Sequence, residues 1–535
     1  MMQRRRTTLV AGLTAVGAVT ALTFVAANAA TAHNDNPFLA SVDTANTKAS
    51  GVVKPTALSP QLAQQLVATG SMPLVNGTAA LPFYGYRGDG PMVPAPGTFT
   101  EASKTEPDKN TYLVLNGHHY LFQGHEGSPT GYVTRIDLDA PVSERVSLVA
   151  WQDTAGNALP SFDGSTWNPF NQRLLLTAEN STTGGVWQSS PEPGSKAESL
   201  QGVLGIAAYE GVQNDSDGNI WLVEDAGGKT INNAKLPNSF VYRFKPVDPS
   251  DLTKGGVLQA LQVTSNSSDH HAITVPSETA AGTTPLTPDM QELHQAGQQF
   301  ETRWVTLHDT ATQGFTAYDA NAAAKAAGAT AFKRPENGVF RPGTQFGEFF
   351  FTETGDTNAL SPANNGYGGW GSIMRLAQRG PSADSGVLSM FFAGDQAHTG
   401  LDNIAFASQD VVLAVEDAGD LLHSQRNALD SAYAFVVNDR PHADPVSPVR
   451  WLAEGRDASA TIDSGLGDAK AAGVPGAASF QNDGDNEITG IHVSNGDPTV
   501  RGLLGARIPT PFQGGWRVFW TQQHGDNNTW EVVAK

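Results

Sequence analysis

Short apolar runs that stop at an acid recur along the chain. Ile220-Trp221-Leu222-Val223 runs into Glu224-Asp225, and Val412-Leu413-Ala414-Val415 runs into Glu416-Asp417 far downstream. "LLLTAEN" at 174–180, "FFFTETGD" at 349–356 and "YLFQGHEG" at 120–127 share the form, with Glu179, Glu353 and Glu126 near their ends. "VFWTQQHGD" at 518–526 has the same shape and places His524 near the terminal position. Runs this short and this continuously apolar predict strands packed in an interior.

A second acid opens the strand before most of these runs. Asp163, Glu210, Glu336 and Asp402 stand 16, 14, 17 and 14 residues ahead of Glu179, Glu224, Glu353 and Glu416. That separation suits one strand, a tight turn such as Asp217-Gly218-Asn219, and the return strand. A third strand follows in "GYVTRIDLD" (131–139), "SFVYRFKP" (239–246) and "GSIMRLA" (371–377), each with an Arg interrupting an alternating run.

Repeated antiparallel units predict an all-β fold, a six-bladed β-propeller with long loop and short helical insertions. Six blades give roughly 80 residues each, against the ~40–50 of common propeller repeats. The surplus falls in polar, Gly/Pro/Ser-rich stretches near 181–200, 245–315 and 418–480. "DANAAAKAAGATA" at 319–331 predicts the clearest helix, N-capped by Asp319. The expected organisation is a single decorated propeller over 106–535, preceded by an N-terminal extension and lead-in at 30–105.

Residues 1–29 read as an export signal, with Arg4-Arg5-Arg6, an apolar run from Leu9 to Val25, and Ala27-Asn28-Ala29 as the cleavage site. The consecutive arginines fit the twin-arginine route, and Thr8 in place of its usual Phe leaves ordinary secretion open. The expected location is periplasmic or extracellular. No other long apolar stretch predicts an integral membrane segment. The formal charge of −20, from 33 basic and 53 acidic side chains, argues against a nucleic-acid partner and suits a protein that holds cations. The chain has no cysteine, which excludes thiol catalysis, disulfides and thiolate-bound metals.

One acid after a strand is usually a cap or a solvated turn residue. Recurrence changes the weighing, because equivalent strand ends in a propeller converge on one mouth of the central channel. Glu126, Glu179, Glu210, Glu224, Glu336, Asp402, Glu416 and Glu487 are the candidate metal ligands. So many carboxylates would repel one another unless hard divalent ions, calcium above all, lay between them. In "AAKAAGATAFKRPENGVF" (323–340), Arg334 stands two residues before Glu336. A guanidinium beside a metal-binding acid is what phosphate recognition requires, and a salt bridge next to a helix-ending Pro explains the same residues equally well.

The ordered motifs resemble those of the PhoX-type alkaline phosphatases, exported bacterial enzymes. They are "GHEG" (124–127), "LLLTAEN" (174–180), "YEGV" (209–212), "IWLVED" (220–225), "SFVYRFKP" (239–246), "GATAFKRPE" (328–336), "LDNIAF" (401–406), "LAVED" (413–417), "NEITG" (486–490) and "TQQHGD" (521–526). The resemblance implies a six-bladed propeller with calcium ions and a ferric pair near its axis, hydrolysing small phosphomonoesters. It implies metal contacts for Glu126, Glu179, Glu210, Glu224, Glu336 and Glu416, and phosphate positioning by Arg334. Asp402, Glu487 and His524 join them less directly. The family's Thr-Cys-Glu-Glu motif reads Thr177-Ala178-Glu179-Asn180 here, so the iron pair lacks its usual sulfur ligand and calcium is the expected cation.

Three functions follow from these residues: an exported metal-dependent phosphatase, a calcium-dependent lactone or ester hydrolase, and a non-catalytic calcium-stapled propeller that binds a partner.

Overall fold

The computed structural model describes residues 36–48, 54–95, 98–127, 130–274, 282–438, 447–456, 463–480, 487–494 and 517–535. The export signal expected at 1–29 lies outside them. Among the described residues, no helix is long and apolar enough to cross a membrane. From Pro37 to Lys535 the chain forms one compact unit that is mostly β-sheet.

Its described strands form sheets of four, five, eight and nine strands and a two-stranded ribbon, and within the four larger sheets lie six antiparallel groups, each opening beside an acid. The first two strands of the groups are Pro107–Leu115 and His118–His125, Ser165–Asn168 and Arg173–Ala178, Tyr209–Asn214 and Ile220–Glu224, Gly338–Phe340 and Glu348–Glu353, Leu401–Ser408 and Val411–Glu416, and Glu487–Ser494 and Arg517–Gln523. The first strand of every group touches the first strands of the groups before and after it, and the last group touches the first. The six opening strands therefore form a closed cycle.

Stacking of one group on the next explains the continuously apolar runs. Alternate residues of a strand point to opposite faces of its sheet. Leu174 and Leu176 accordingly enter a core with Phe122 and Val133 of the first group, while Leu175 enters the core of Val212, Leu222 and Tyr242 of the third. Phe349 and Phe351 pack with Trp221 and Val223 on one side, and Phe350 packs with Phe406 and Val412 on the other. A sheet sandwiched between two neighbours has no wet face, so the sequence shows no polar alternation. Each such side chain contributes about 1.5–3 kcal/mol by leaving water.

The last group is completed from the other end of the chain. Leu62–Ala68 pairs antiparallel with Asn528–Ala534, Leu62 opposite Ala534. Part of the segment expected to be lead-in thus supplies the closing strand of the final sheet. The helix expected at 319–331 is present but shorter, at Ala320–Ala326, and Asp319 accepts a hydrogen bond from the Ala322 amide as its N-cap. It stops because Gly328 takes a left-handed conformation, φ +69°.

Glycines let the opening strands crowd the axis. A Cβ on Gly164 would fall on the carbonyl oxygen of Glu210, and one on Gly490 would lie 2.8 Å from the carbonyl oxygen of Asp108. Gly164→Ala is expected to destabilise the fold by at least about 1–3 kcal/mol, the usual cost of overpacking a rigid core. A melting temperature equal to that of the unaltered chain would contradict this packing.

Candidate metal centre

The register of the strand ends decides which acids meet. Six acids come from the mouths of the opening strands: Asp108, Asp163, Glu210, Glu336, Asp402 and Glu487. Four more stand one residue past the end of a return strand: Glu126, Glu179, Asp225 and Asp417. His524 holds the same place after Arg517–Gln523, and Thr354 after Glu348–Glu353. Carboxylate oxygens of Asp108, Glu126 and Asp163 lie within 4.8 Å of one another, and so do those of Glu210, Glu336 and Asp402. A third trio with a similar spacing, His118, Asp137 and Asp139, sits apart on the surface of the first group.

Charge links the remaining acids to these two trios. Glu179 lies in the field of Asp225, Glu126 and Glu336, and Asp417 in that of Glu487 and Asp402. Burial, and then neighbouring carboxylates, push Asp108, Asp163, Glu179, Glu210, Asp402, Asp417 and Glu487 well above the ordinary carboxylate range. Glu336 is pushed up to about 8 by burial, against the pull of Arg334. Carboxyls displaced this far are costly groups to keep in a core, and an oxygen-binding cation would bring them back into their charged form.

The sequence reading placed Glu224 and Glu416 in this cluster, and the structure sets them apart. A shift of one residue along a strand turns the side chain to the other face. Glu224 is the last residue of its strand and points into the sheet, accepting bonds from Tyr242 Oη at 2.6 Å, Asn321 Nδ2 at 2.9 Å and the Phe240 amide at 3.2 Å. Glu416 accepts from Arg426 Nη1 at 2.9 Å and from the Thr399 and Ser431 amides at 3.0 Å. Glu353 does the same with Ser372 Oγ and the Lys333 amide. These three glutamates hold the next part of the sheet in place, and at 225 and 417 it is the second acid of the pair that turns to the axis.

Asp108, Asp163, Asp225 and Asp417 are therefore cluster members that the sequence reading did not name as ligands. Asp163 was visible as a strand opener, and the other two post-strand acids as the second half of Glu-Asp. Asp108 carried no such signal, because "PDKN" lacks the acid–glycine or acid–asparagine step that Asp163, Glu210, Glu336 and Asp402 share.

We expect Glu224→Gln to keep the cation content of the protein and to cost about 1–3 kcal/mol of stability. Asp225→Asn should instead lower activity about tenfold or more by releasing a guanidinium clamp. Metal content and turnover measured side by side on the two variants check this contrast.

Arg334 is that clamp. Its Nε lies 2.9 Å and its Nη2 2.7 Å from the two oxygens of Asp225, a side-on bidentate pair, and Nη2 is also 2.7 Å from Glu336 Oε1. Burial opposes a charged Asp225, but Arg334 outweighs it and holds that carboxyl below its ordinary range. The guanidinium side chain remains one-fifth exposed. Its backbone is left-handed, φ +58°, as are Glu106 (φ +45°) and His524 (φ +60°). Non-glycine residues pay on the order of 1–2 kcal/mol for that conformation, and such strain gathers at functional sites. His524 Nε2 is 3.5 Å from Glu106 and 3.8 Å from Glu487.

The ligand atoms of the two largely buried trios are all carboxylate oxygens, and Asn337 and Asn403 donate their Nδ2 groups to those carboxylates. The side-chain oxygen of Asn403 is buried and has no hydrogen-bond partner. Such a set fits a hard cation of the calcium type. It offers no thiolate, since the chain has no cysteine.

A mostly β chain with buried, oxygen-rich acid clusters at the mouths of its strands is thus the class of protein in hand. Residues 212–428 match the family described as alkaline phosphatase PhoX, the family its motifs resemble. No curated protein matches the chain. Among solved structures, a gluconolactonase from Xanthomonas campestris is 9% identical with a TM-score of 0.36, covering 90% of this chain and 98% of its own. A periplasmic gluconolactonase from Pseudomonas aeruginosa is 15% identical with a TM-score of 0.31, covering 74% and 98%. A GH43_1 enzyme from Xanthomonas citri is 12% identical with a TM-score of 0.29, covering 64% and 92%. Likenesses this distant decide nothing about the chemistry.

Proposed function

We propose that the six groups of strands are the blades of a six-bladed β-propeller, and that this is an exported, metal-dependent phosphatase acting on small phosphomonoesters. One observation carries the reading: inside the family-matched segment, Arg334 is fixed by Asp225 immediately beside the Glu210–Glu336–Asp402 trio. A fixed guanidinium at the edge of a cation-binding carboxylate cluster recognises phosphate.

In this reading Asp108, Glu126 and Asp163 hold one calcium ion, and Glu210, Glu336 and Asp402 hold another, with Glu179, Asp417 and Glu487 adding charge around them. Bound calcium would draw negative charge from the phosphoryl oxygens. Asp225 keeps the Arg334 fork from swinging, so the phosphoryl group is met in one orientation. Arg334 offers its remaining N–H edge to the substrate oxygens and stabilises charge that grows during transfer. Phosphoryl transfer asks mostly for positioning and charge neutralisation, and these side chains supply both without a protein nucleophile.

The experiment is turnover of p-nitrophenyl phosphate by freshly purified protein, with calcium and after chelation. We expect activity that chelation abolishes and calcium restores. Absence of turnover with calcium, iron, manganese and magnesium alike would overturn the reading, and lactone or ester turnover in its place would favour the calcium-dependent hydrolase.

A further inference from the structure

Five of the six opening strands carry a glycine or an asparagine just inside the mouth acid: Gly164, Gly211, Asn337, Asn403 and, two residues further on, Gly490. The first strand carries Lys109. At this level the glycines admit close neighbouring backbone and the asparagines bring amides, whereas the first strand brings a lysine.

Lys109 is 3% exposed, and its Nζ donates to Asn337 Oδ1. Asn337 belongs to the fourth group, three steps around a cycle of six, so this bond crosses the channel to the opposite wall. The same asparagine turns its Nδ2 to Glu210 Oε1 at 3.0 Å and to Asp402 Oδ1 at 3.4 Å. Burial works against the charge of the ammonium, and Glu210, Asp108 and Asp402 favour it. The ammonium therefore lies between the Asp108 trio on one side and the Glu210 trio on the other. His492, on the last group's opening strand, also lies in its field.

We propose that Lys109 is a tethered cation that spans the axial channel beneath the mouth and takes the place of one divalent ion. It limits the centre to the cations that the flanking trios hold. Lys109 and Arg334, with Lys235 acting on Asp225 and Glu336, are fixed positive side chains around the ten axial carboxylates, so a cation built into the chain neutralises charge that no bound ion then has to. The inference rests on the metal-binding reading above and extends it to this chain's own count of ions.

The test is elemental analysis of calcium-loaded, dialysed protein. Lys109→Ser removes the ammonium and leaves space and an oxygen in its place, and we expect one more calcium per chain than in the unaltered protein. Lys109→Arg keeps the charge and should keep the count. An unchanged count in Lys109→Ser overturns the proposal. So does failure of both Lys109→Ser and Lys109→Met to fold at every calcium concentration, since then no divalent ion can stand in for the ammonium. An unaltered chain without calcium beside a Lys109→Ser variant that binds one ion would sink the phosphatase reading and leave the role of the lysine standing.

Discussion

Stripping divalent cations from the protein should lower its melting temperature by about 5 °C near neutral pH, and by far less near pH 4. Two ions, each bound at a hundredfold excess over its dissociation constant, contribute about 5 kcal/mol through linkage, and a chain of this size shifts by roughly 1 °C per kcal/mol. The pH dependence follows from the acids left behind. Burial and mutual repulsion raise Asp108, Asp163, Glu210 and Asp402 above their unfolded values, and Glu336 from 4.5 to about 8. A carboxyl raised in the folded state binds its proton more tightly there than in the unfolded chain. For Glu336 that contribution is complete below about pH 4.5 and is lost as the pH climbs through about 8. The stripped protein should therefore regain stability on acidification through that window, while the calcium-loaded protein should not. Scanning calorimetry of both forms from pH 4 to 8 checks the pair of curves, and parallel curves would contradict the account.

Replacing Arg334 with alanine should lower kcat/KM by about 10²–10³-fold, the usual cost of one donor aimed at developing charge. Inhibition by inorganic phosphate should weaken in step, because the same fork reads the product. Lysine at 334 keeps the charge but cannot pair side-on with Asp225, so it should recover only part of the loss. Steady-state kinetics with p-nitrophenyl phosphate and phosphate inhibition constants check both expectations. Unchanged phosphate affinity in Arg334→Ala would assign Arg334 a structural role only, as a partner for Asp225 and Glu336.

The strands and their hairpins were legible because their physics is local. A run such as Leu174-Leu175-Leu176 is apolar without alternation because both faces of its sheet are covered, and the spacing from Asp163 to Glu179 reflects one hairpin. The choice between neighbouring acids was not legible. Glu224 and Asp225 differ by one position, and only the exact strand end tells which faces the axis. The hydrogen bonds that keep Glu224 inside its sheet come from Tyr242 and Asn321, the second of them distant in sequence. Leu62–Ala68 was missed because it pairs with a strand at the far end of the chain, and Lys109 because its importance comes from Asn337 across the channel. Arg334 was found from its place between a helix and a strand, while its restraint by Asp225 needed the fold.

The most direct measurement is calcium per chain, by elemental analysis of protein equilibrated with calcium and dialysed free of excess. The account predicts at least two tightly held ions, with one fewer in a variant that neutralises Asp108 and Asp163 together. A protein that retains none, while folded and with all ten axial carboxylates intact, would contradict it.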